Sequence, residues 1–219
     1  MGAQADMVRT EILRQIMSRT VLPGDRIDED DLKDRLSVSV TPIREALISL
    51  ETTGVIERRP RSGARVATLD TENVIKMVEA LAEMEGSVAA LAARRINKAQ
   101  IHALREAAKD CIKWVKTPQK LTGYYDRNLD FHRALLAAAS NEHLAESIMR
   151  LANRLVAYLD ARHSLPGEAE RSAAEHQDIC NAIADGDGGK ARELMMRHVN
   201  FTEVSAIDVM NALKAWGRQ

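Results

Sequence analysis

The sequence predicts a mostly α-helical protein built in two parts, and three observations support this prediction. Along most of the 219 residues, apolar side chains recur at intervals of three and four, the spacing of one buried face on a helix. Two short segments with strand character occur only before residue 69. Beyond Thr68-Leu69-Asp70-Thr71 helical periodicity takes over, so we place a domain boundary between residues 1–69 and 70–219.

Composition and patterning indicate a globular protein in a reducing compartment. Hydrophobic residues make up 45% of the chain, which is ample for a core. No apolar run reaches about 18 residues, and the N-terminus lacks the apolar segment of a signal peptide. We therefore expect a cytoplasmic protein without a membrane partner. Cys111 and Cys180 each lie in an apolar helical pattern, which predicts buried, reduced thiols.

The first forty residues predict two helices. Apolar residues at helical spacing indicate an amphipathic helix over residues 6–19. The sequence Leu22-Pro23-Gly24-Asp25 then predicts a turn. A second, short helix over residues 29–36 would bury Leu32 and Leu36.

Residues 39–47, Ser-Val-Thr-Pro-Ile-Arg-Glu-Ala-Leu, predict a third helix whose first turn presents polar side chains. Pro42 is tolerated there because backbone N–H groups in a first turn have no intrahelical partner. Ser39 or Thr41 could cap this end, and Thr41 and Arg44 fall on the face opposite the apolar stripe. The predicted second and third helices, joined by a short link, are typical of a helix-turn-helix. This motif places the N-terminal end of its second helix in the major groove.

Two predicted strands, residues 55–58 and 64–67, flank a basic turn and form the hairpin of a winged helix-turn-helix. Residues 58–65 hold four arginines and no acid, the charge that a phosphate backbone attracts even though the formal net charge of the chain is −1. Gly63 can adopt positive φ and let the backbone approach a partner closely. A winged helix used for protein contacts is the alternative. The predicted DNA contacts are Ser39, Thr41, Arg44, Arg58, Arg59, Arg61 and Gly63.

The stretch 39–47 resembles the recognition helix of the GntR family of bacterial transcription regulators, whose usual form is close to Ser-Arg-Thr-Pro-Val-Arg-Glu-Ala-Leu. Seven of the nine positions are identical. Val40 replaces the usual arginine, a side chain that in the family commonly reads a base or contacts a phosphate, and Ile43 replaces valine. Pro23-Gly24 and the Arg-x-Gly-x-x-Val element at 61–66 also match the family pattern.

The second part of the chain predicts a bundle of six antiparallel helices. Short breaks rich in proline, glycine and asparagine separate the helical segments, which implies that successive helices are antiparallel neighbours. The predicted helices span roughly residues 71–95, 98–116, 119–140, 142–164, 168–187 and 189–215.

Three histidines on the inward stripes of this bundle predict a metal site. His176 and His198 lie 11 residues before and after Asp187, so an antiparallel hairpin places them at one level, about 16 Å from the turn. Asn128 precedes His132 by one helical turn and shares its face. Three imidazoles and one amide oxygen in one layer suit a divalent transition metal, with further positions open to water or ligand.

Residues 71–205 resemble the FCD ligand-binding domain of the FadR branch of GntR regulators, in which an Asp-x-x-x-His pair and two later histidines hold a metal. Residues 128–132, His176 and His198 match these places, with Asn128 at the position of the aspartate, and residues 85–92 match the first bundle helix. Six helices favour the VanR-type group. The implied metal is zinc, with nickel or manganese as alternatives, and its implied ligands are Asn128, His132, His176 and His198.

Arg154 and Tyr124 are the predicted contacts for a small organic acid effector. Leu81 stands where related domains often carry an arginine that binds the effector carboxylate. Folding the predicted helices back about their turns places Arg154 in the histidine layer, where it could supply that charge. An ion pair at the bundle surface is the alternative for Arg154.

Together these features predict a ligand-responsive transcription regulator, a repressor, that binds a palindromic DNA operator as a homodimer. A regulator that senses the metal alone, without an organic effector, is one alternative. A metal-dependent enzyme is another, because an open histidine site activates water. No acid is evidently placed as a general base beside the histidines, and an enzyme would not need the first 67 residues, so we predict that the protein is not an enzyme.

Overall fold

The computed structural model describes residues 2–59, 63–117 and 123–217, with the side chain of Arg59 left out. Its N-terminal part is a winged helix-turn-helix, as predicted. The β strands pair antiparallel, with Ile56 opposite Val66. The elements are α1 (Ala3–Met17), α2 (Glu29–Leu36), α3 (Val40–Thr52), β1 (Ile56–Arg59) and β2 (Gly63–Val66).

Local hydrogen bonds and backbone conformation define where α2 begins and ends and where α3 begins. The Asp28 side chain caps α2 by accepting hydrogen bonds from the backbone N–H groups of Asp30 and Asp31. Ser37 ends α2 in the left-handed conformation, with φ of 52°. Ser39 takes the N-cap position of α3 without a side-chain capping bond, and Thr41 lies inside the helix. Ser39 therefore occupies one of the two predicted cap positions, without the side-chain hydrogen bond that such a cap usually makes.

Seven helices follow in the described part of the chain, and the predicted count of six was wrong because residues 189–215 do not form one helix. Asn200 is extended, with φ of −65° and ψ of 148°. Thr202 and Ser205 then form a capping box that starts a new helix. The six-helix count therefore no longer supports the VanR-type group. The helices are α4 (Thr71–Arg95), α5 (Lys98–Val115), α6 (Tyr124–Ala139), α7 (Glu142–His163), α8 (Glu168–Ala184), α9 (Gly188–Val199) and α10 (Glu203–Trp216).

Helix α4 lies at the centre of this helical part and packs against α6, α7, α8 and α9. Its buried stripe is apolar except for Glu85. The next residue, Gly86, lets α9 approach closely, because a Cβ there would lie 2.6 Å from Met196 Cγ and 3.3 Å from the Arg192 carbonyl oxygen. Cys111 and Cys180 are buried free thiols, as predicted.

Helix α7 also contacts the winged part of the molecule. Arg19 Nε donates to Asp160 Oδ2 at 2.7 Å, and the backbone N–H of Leu69 donates to the Tyr158 hydroxyl at 2.7 Å. Both contacts lie on the same helix as several residues of the site described next. Across the described residues, the helices are all too short or too polar to span a membrane.

Candidate functional site

His132 on α6, His176 on α8 and His198 on α9 converge inside the helical part. One ring nitrogen from each lies within 4.8 Å of the other two, and His176 Nε2 is 3.2 Å from His198 Nε2. Two nitrogens on one tetrahedral zinc ion, each about 2.0–2.1 Å from it, lie about 3.3 Å apart. The spacing of the His176 and His198 nitrogens therefore suits a single ion, and a nitrogen of His132 lies within 4.8 Å of both.

Two carboxylates contact these histidines, each at the Nδ1 atom of one ring. Glu85 Oε2 lies 2.5 Å from His132 Nδ1, and Glu175 Oε2 lies 2.8 Å from His198 Nδ1. When Nδ1–H donates to a carboxylate, Nε2 keeps its lone pair, which is how acids commonly orient histidine ligands of a metal. The expectation that no acid is evidently placed as a general base beside the histidines missed these two carboxylates.

The sequence carries a signal for one of these acids and none for the other. Glu85 follows Leu81 by one turn on the apolar stripe of α4 and is only 5% exposed, so an acid at a core position could have marked it. Glu175 directly precedes His176 and breaks no apolar pattern. Its contact with His198 depends on how α8 and α9 pack.

The buried histidines are held in their neutral form. Burial lowers the pKa of His176 well below its ordinary value, and the neighbouring His198 adds to this effect. Burial likewise lowers the pKa of His198, with His132 as a further cause. Because a metal binds the neutral imidazole, these two side chains need not release a proton near neutral pH.

Asn128 is buried near the histidines and is held by a short chain of hydroxyl groups. The Tyr124 hydroxyl donates to Ser172 Oγ at 2.9 Å, and the Ser172 hydroxyl donates to Asn128 Oδ1 at 3.4 Å. The amide oxygen is therefore oriented while a second lone pair stays free. Tyr124 itself does not line the cavity among the described residues, which argues against the predicted effector contact; its neighbour Tyr125 does line it.

A cavity of about 50 Å³ opens beside the histidines. A water molecule needs about 10–15 Å³ on this measure, so the cavity can hold a few water-sized groups. Leu81, Leu129, Leu136, Ile148, Met149 and Leu159 form most of its apolar wall. Its polar lining comprises Glu85, Tyr125, Asn128, His132, Arg133, Arg162, His163, Ser172 and His198.

The predicted cationic side chain, Arg154, does not line this cavity. Arg154 is exposed and lies over the turn after α3, where a Cβ on Gly54 would be 2.7 Å from Arg154 Nε. Folding helices back about their turns estimates height but not which side of a helix faces inward. Arg133 and Arg162 line the cavity instead. Arg162 is buried, and its Nη1 donates to the Val199 carbonyl oxygen at 2.8 Å.

The predicted DNA face of α3 is exposed. Ser39, Thr41 and Arg44 are exposed, whereas Pro42 and Ile43 are buried. This arrangement leaves the polar groups of the first turns free to meet base edges.

On the hairpin, Gly63 has φ of 73°, as its predicted role allows. Arg58 Nε lies 3.6 Å from Glu51 Oε2 on α3. The side chain of Arg59 and the whole of Arg61 lie outside the described residues, so their predicted contacts stay predictions.

Comparison with known proteins connects both halves to one family. Residues 4–66 match the model for bacterial regulatory proteins of the gntR family, and residues 76–201, more than half of the chain, match the FCD domain model. The probable D-xylose utilization operon transcriptional repressor of Paenarthrobacter nicotinovorans is 27% identical over 201 residues, covering 89% of this chain and 85% of that protein. The HTH-type transcriptional repressor RspR of Escherichia coli strain K12 is 25% identical over 205 residues, covering 93% and 89%.

A solved structure shares the fold over the whole chain. The structure of E. coli McbR/YncC has a TM-score of 0.79 and 18% identity, and the match covers 100% of this chain and 99% of that one. The matched family and relatives are transcription regulators, which confirms the prediction of a DNA-binding regulator over that of an enzyme. The chain belongs to the GntR family of bacterial regulatory proteins, in the group whose C-terminal part is an FCD domain.

Proposed function

We propose that this regulator holds a divalent metal with His132, His176, His198 and Asn128, and that a small organic acid binding at the metal changes its affinity for operator DNA. The observation that carries this proposal is the convergence of three imidazole nitrogens within 4.8 Å. Zinc is the first choice of metal, with nickel or manganese as alternatives.

The residues present fit such an ion. With Nδ1–H of His198 directed at Glu175, the Nε2 lone pair of His198 faces Nε2 of His176 at 3.2 Å. A cation between the two rings would be bound by both nitrogens. His176 Nδ1 is buried without a hydrogen-bond partner among the described residues. Metal ligation by Nε2 would replace the contact between the two Nε2 atoms and leave His176 Nδ1 as it is. When bound, the metal supplies a positive charge and open positions for carboxylate oxygens.

The cavity offers matching groups for an acid. A carboxylate on the open side of the histidines would lie near Arg133 and Arg162, and arginine forms strong paired hydrogen bonds with carboxylates. Arg162 is buried and already bonded to Val199 and Glu168, so it offers a fixed charge. Arg133 has a 57% exposed side chain and a long 3.5 Å contact to Asp130. It is therefore free to turn toward a ligand.

Helix α7 is the element that we propose couples ligand binding in the cavity to the DNA-binding part. It places Arg162 and His163 at the cavity, while Asp160 and Tyr158, within the same turn or two, contact Arg19 and Leu69. A shift of this helix on ligand binding would alter both sets of contacts. Coupling of about 1–3 kcal/mol is typical and would change operator affinity roughly 5- to 150-fold.

We further propose a homodimer acting on a palindromic operator as a repressor. A helix-turn-helix dimer presents two recognition helices about 34–36 Å apart, and so reads two half-sites one DNA turn apart. Two linked contacts bind far more tightly than one.

The test is the metal content of the purified full-length chain, measured by elemental analysis together with native mass spectrometry. One metal ion per chain is expected, and it should be lost in His132→Ala and His176→Ala. His102→Ala is the matched control, because His102 is exposed on α5. Equal metal content in all variants would overturn the proposed site. A change of operator affinity on adding metal alone, with no response to any organic acid, would favour the metal sensor instead.

A further inference from the structure

The recognition helix α3 exposes two branched apolar side chains. Val40, its first residue, is 43% exposed, and Ile48 is 53% exposed. Five large hydrophobic residues are exposed in the described part of the chain: these two, Met7 on α1, and Val204 and Ile207 on α10. Val40 and Arg44 are one helical turn apart, so they share a stripe with Ile48 one turn further on.

The position of Val40 on α3 indicates which kind of group its exposed side chain would meet. Helix-turn-helix proteins contact base edges with the N-terminal residues of this helix, and Val40 lies between the exposed Ser39 and Thr41. Its side chain can neither donate nor accept a hydrogen bond. The apolar group that the major groove offers is the C5 methyl of thymine. By contrast, arginine pairs with O6 and N7 of guanine.

We propose that Val40 selects thymine in each operator half-site by packing against its C5 methyl group. The inference rests on the proposed binding of operator DNA by α3. Val40 and Arg44 are about 6 Å apart along the helix axis, and successive bases rise about 3.4 Å. The selected thymine therefore lies within a few base pairs of the base or phosphate that Arg44 contacts.

The experiment starts with selection of an operator from random duplexes by the full-length chain at fixed salt. Each thymine is then replaced in turn by deoxyuridine, which keeps the base pairing and lacks only the methyl group. One symmetric pair of thymines should show about a fourfold loss of affinity per methyl, the factor expected for one buried carbon group.

Variants assign that loss to a side chain. Val40→Ala should abolish the preference for thymine over deoxyuridine at that pair and leave other positions unchanged. Val40→Arg should favour guanine there. Val204→Ala is the matched control, since it removes the same atoms from an exposed valine on α10 and should keep the preference.

Two kinds of result would overturn the inference, and they differ in whether the proposed operator binding fails as well. If an operator is selected but Val40→Ala still prefers thymine to deoxyuridine at that pair, or if the native chain shows no such preference at any pair, the inference alone fails. If no duplex is selected at all, the proposed operator binding fails and the inference fails with it.

Discussion

Replacing Glu85 with glutamine removes one negative charge behind His132 while it keeps the size and shape of the side chain. Glu85 Oε2 lies 2.5 Å from His132 Nδ1, and the residue is only 5% exposed. In the native chain the carboxylate accepts the Nδ1 proton and so directs the Nε2 lone pair toward His176 and His198. A glutamine amide offers a donor as well as an acceptor, so it no longer imposes this tautomer.

The size of the effect follows from the role of such acids. Loss of a group that orients a histidine ligand typically costs 10- to 100-fold in metal affinity, which is about 1.4–2.8 kcal/mol. Glu175→Gln should have a similar effect through His198, since Glu175 Oε2 lies 2.8 Å from His198 Nδ1. Because the two rings that these carboxylates contact would bind one ion and have nitrogens within 4.8 Å of each other, we expect the loss in the double variant to differ from the product of the two factors.

The assay is competition between the metal-free chain and a chelator of known zinc affinity. Glu79→Gln is the matched control, because Glu79 lies on the exposed side of α4 and its replacement should leave zinc affinity unchanged. The Tm of each metal-free variant is measured in parallel. A Glu85→Gln chain that folds normally and binds zinc within twofold of the native chain would refute the assigned role of Glu85.

Three further perturbations test other parts of the structure. Gly86→Ala should cost about 1–3 kcal/mol and lower Tm by roughly 2–12 °C, measured by thermal unfolding, because the new Cβ would lie 2.6 Å from Met196 Cγ. Asp160→Asn should weaken the contact with Arg19, 2.7 Å in the native chain, and reduce the effect of chelating the metal on operator affinity while metal content stays unchanged. Burial lowers the pKa of His163 from 6.5 to about 3, so the free energy of unfolding should fall as the pH drops from 6.5 toward 3. Urea titrations across that range should show a shallower fall in His163→Gln, and an identical slope would contradict the assignment.

The DNA-binding half could be predicted because its signals are local. Helix α2 matches its predicted bounds, and β1 differs from its predicted range by one residue. Pro42 and the apolar spacing after it place the start of α3 and its buried face without reference to the rest of the chain. The missing side-chain cap at Ser39 was not predictable, because N-cap preference describes a tendency and not the rotamer at one site.

In the helical half, predictions held where one turn connects the two residues concerned. His176 and His198 flank a single hairpin turn, so the rise per residue alone places them at one level, and their Nε2 atoms lie 3.2 Å apart. The prediction that Arg154 lies at the histidine layer was wrong because its position depends on the rotation of α7 about its own axis. Only packing determines that rotation. The break at residues 200–202 was visible in the Thr202-x-x-Ser205 pattern but is weaker than the apolar periodicity on either side.

The asparagine at position 128 is consistent with the charge balance of the site. A divalent ion bound by three neutral imidazoles would carry two positive charges into a buried cavity, where unpaired charge is costly. The carboxylates of Glu85 and Glu175 touch two of those imidazoles and together supply two negative charges. An aspartate at 128 would add a third negative charge and leave the site net negative, whereas a neutral amide leaves it balanced, with Arg133 and Arg162 as the charges at the cavity that attract an anionic ligand. In the proposed metal site, the neutral Asn128 and the two acids beside the histidines therefore belong to one electrostatic arrangement, which leaves a place for the carboxylate of the proposed effector.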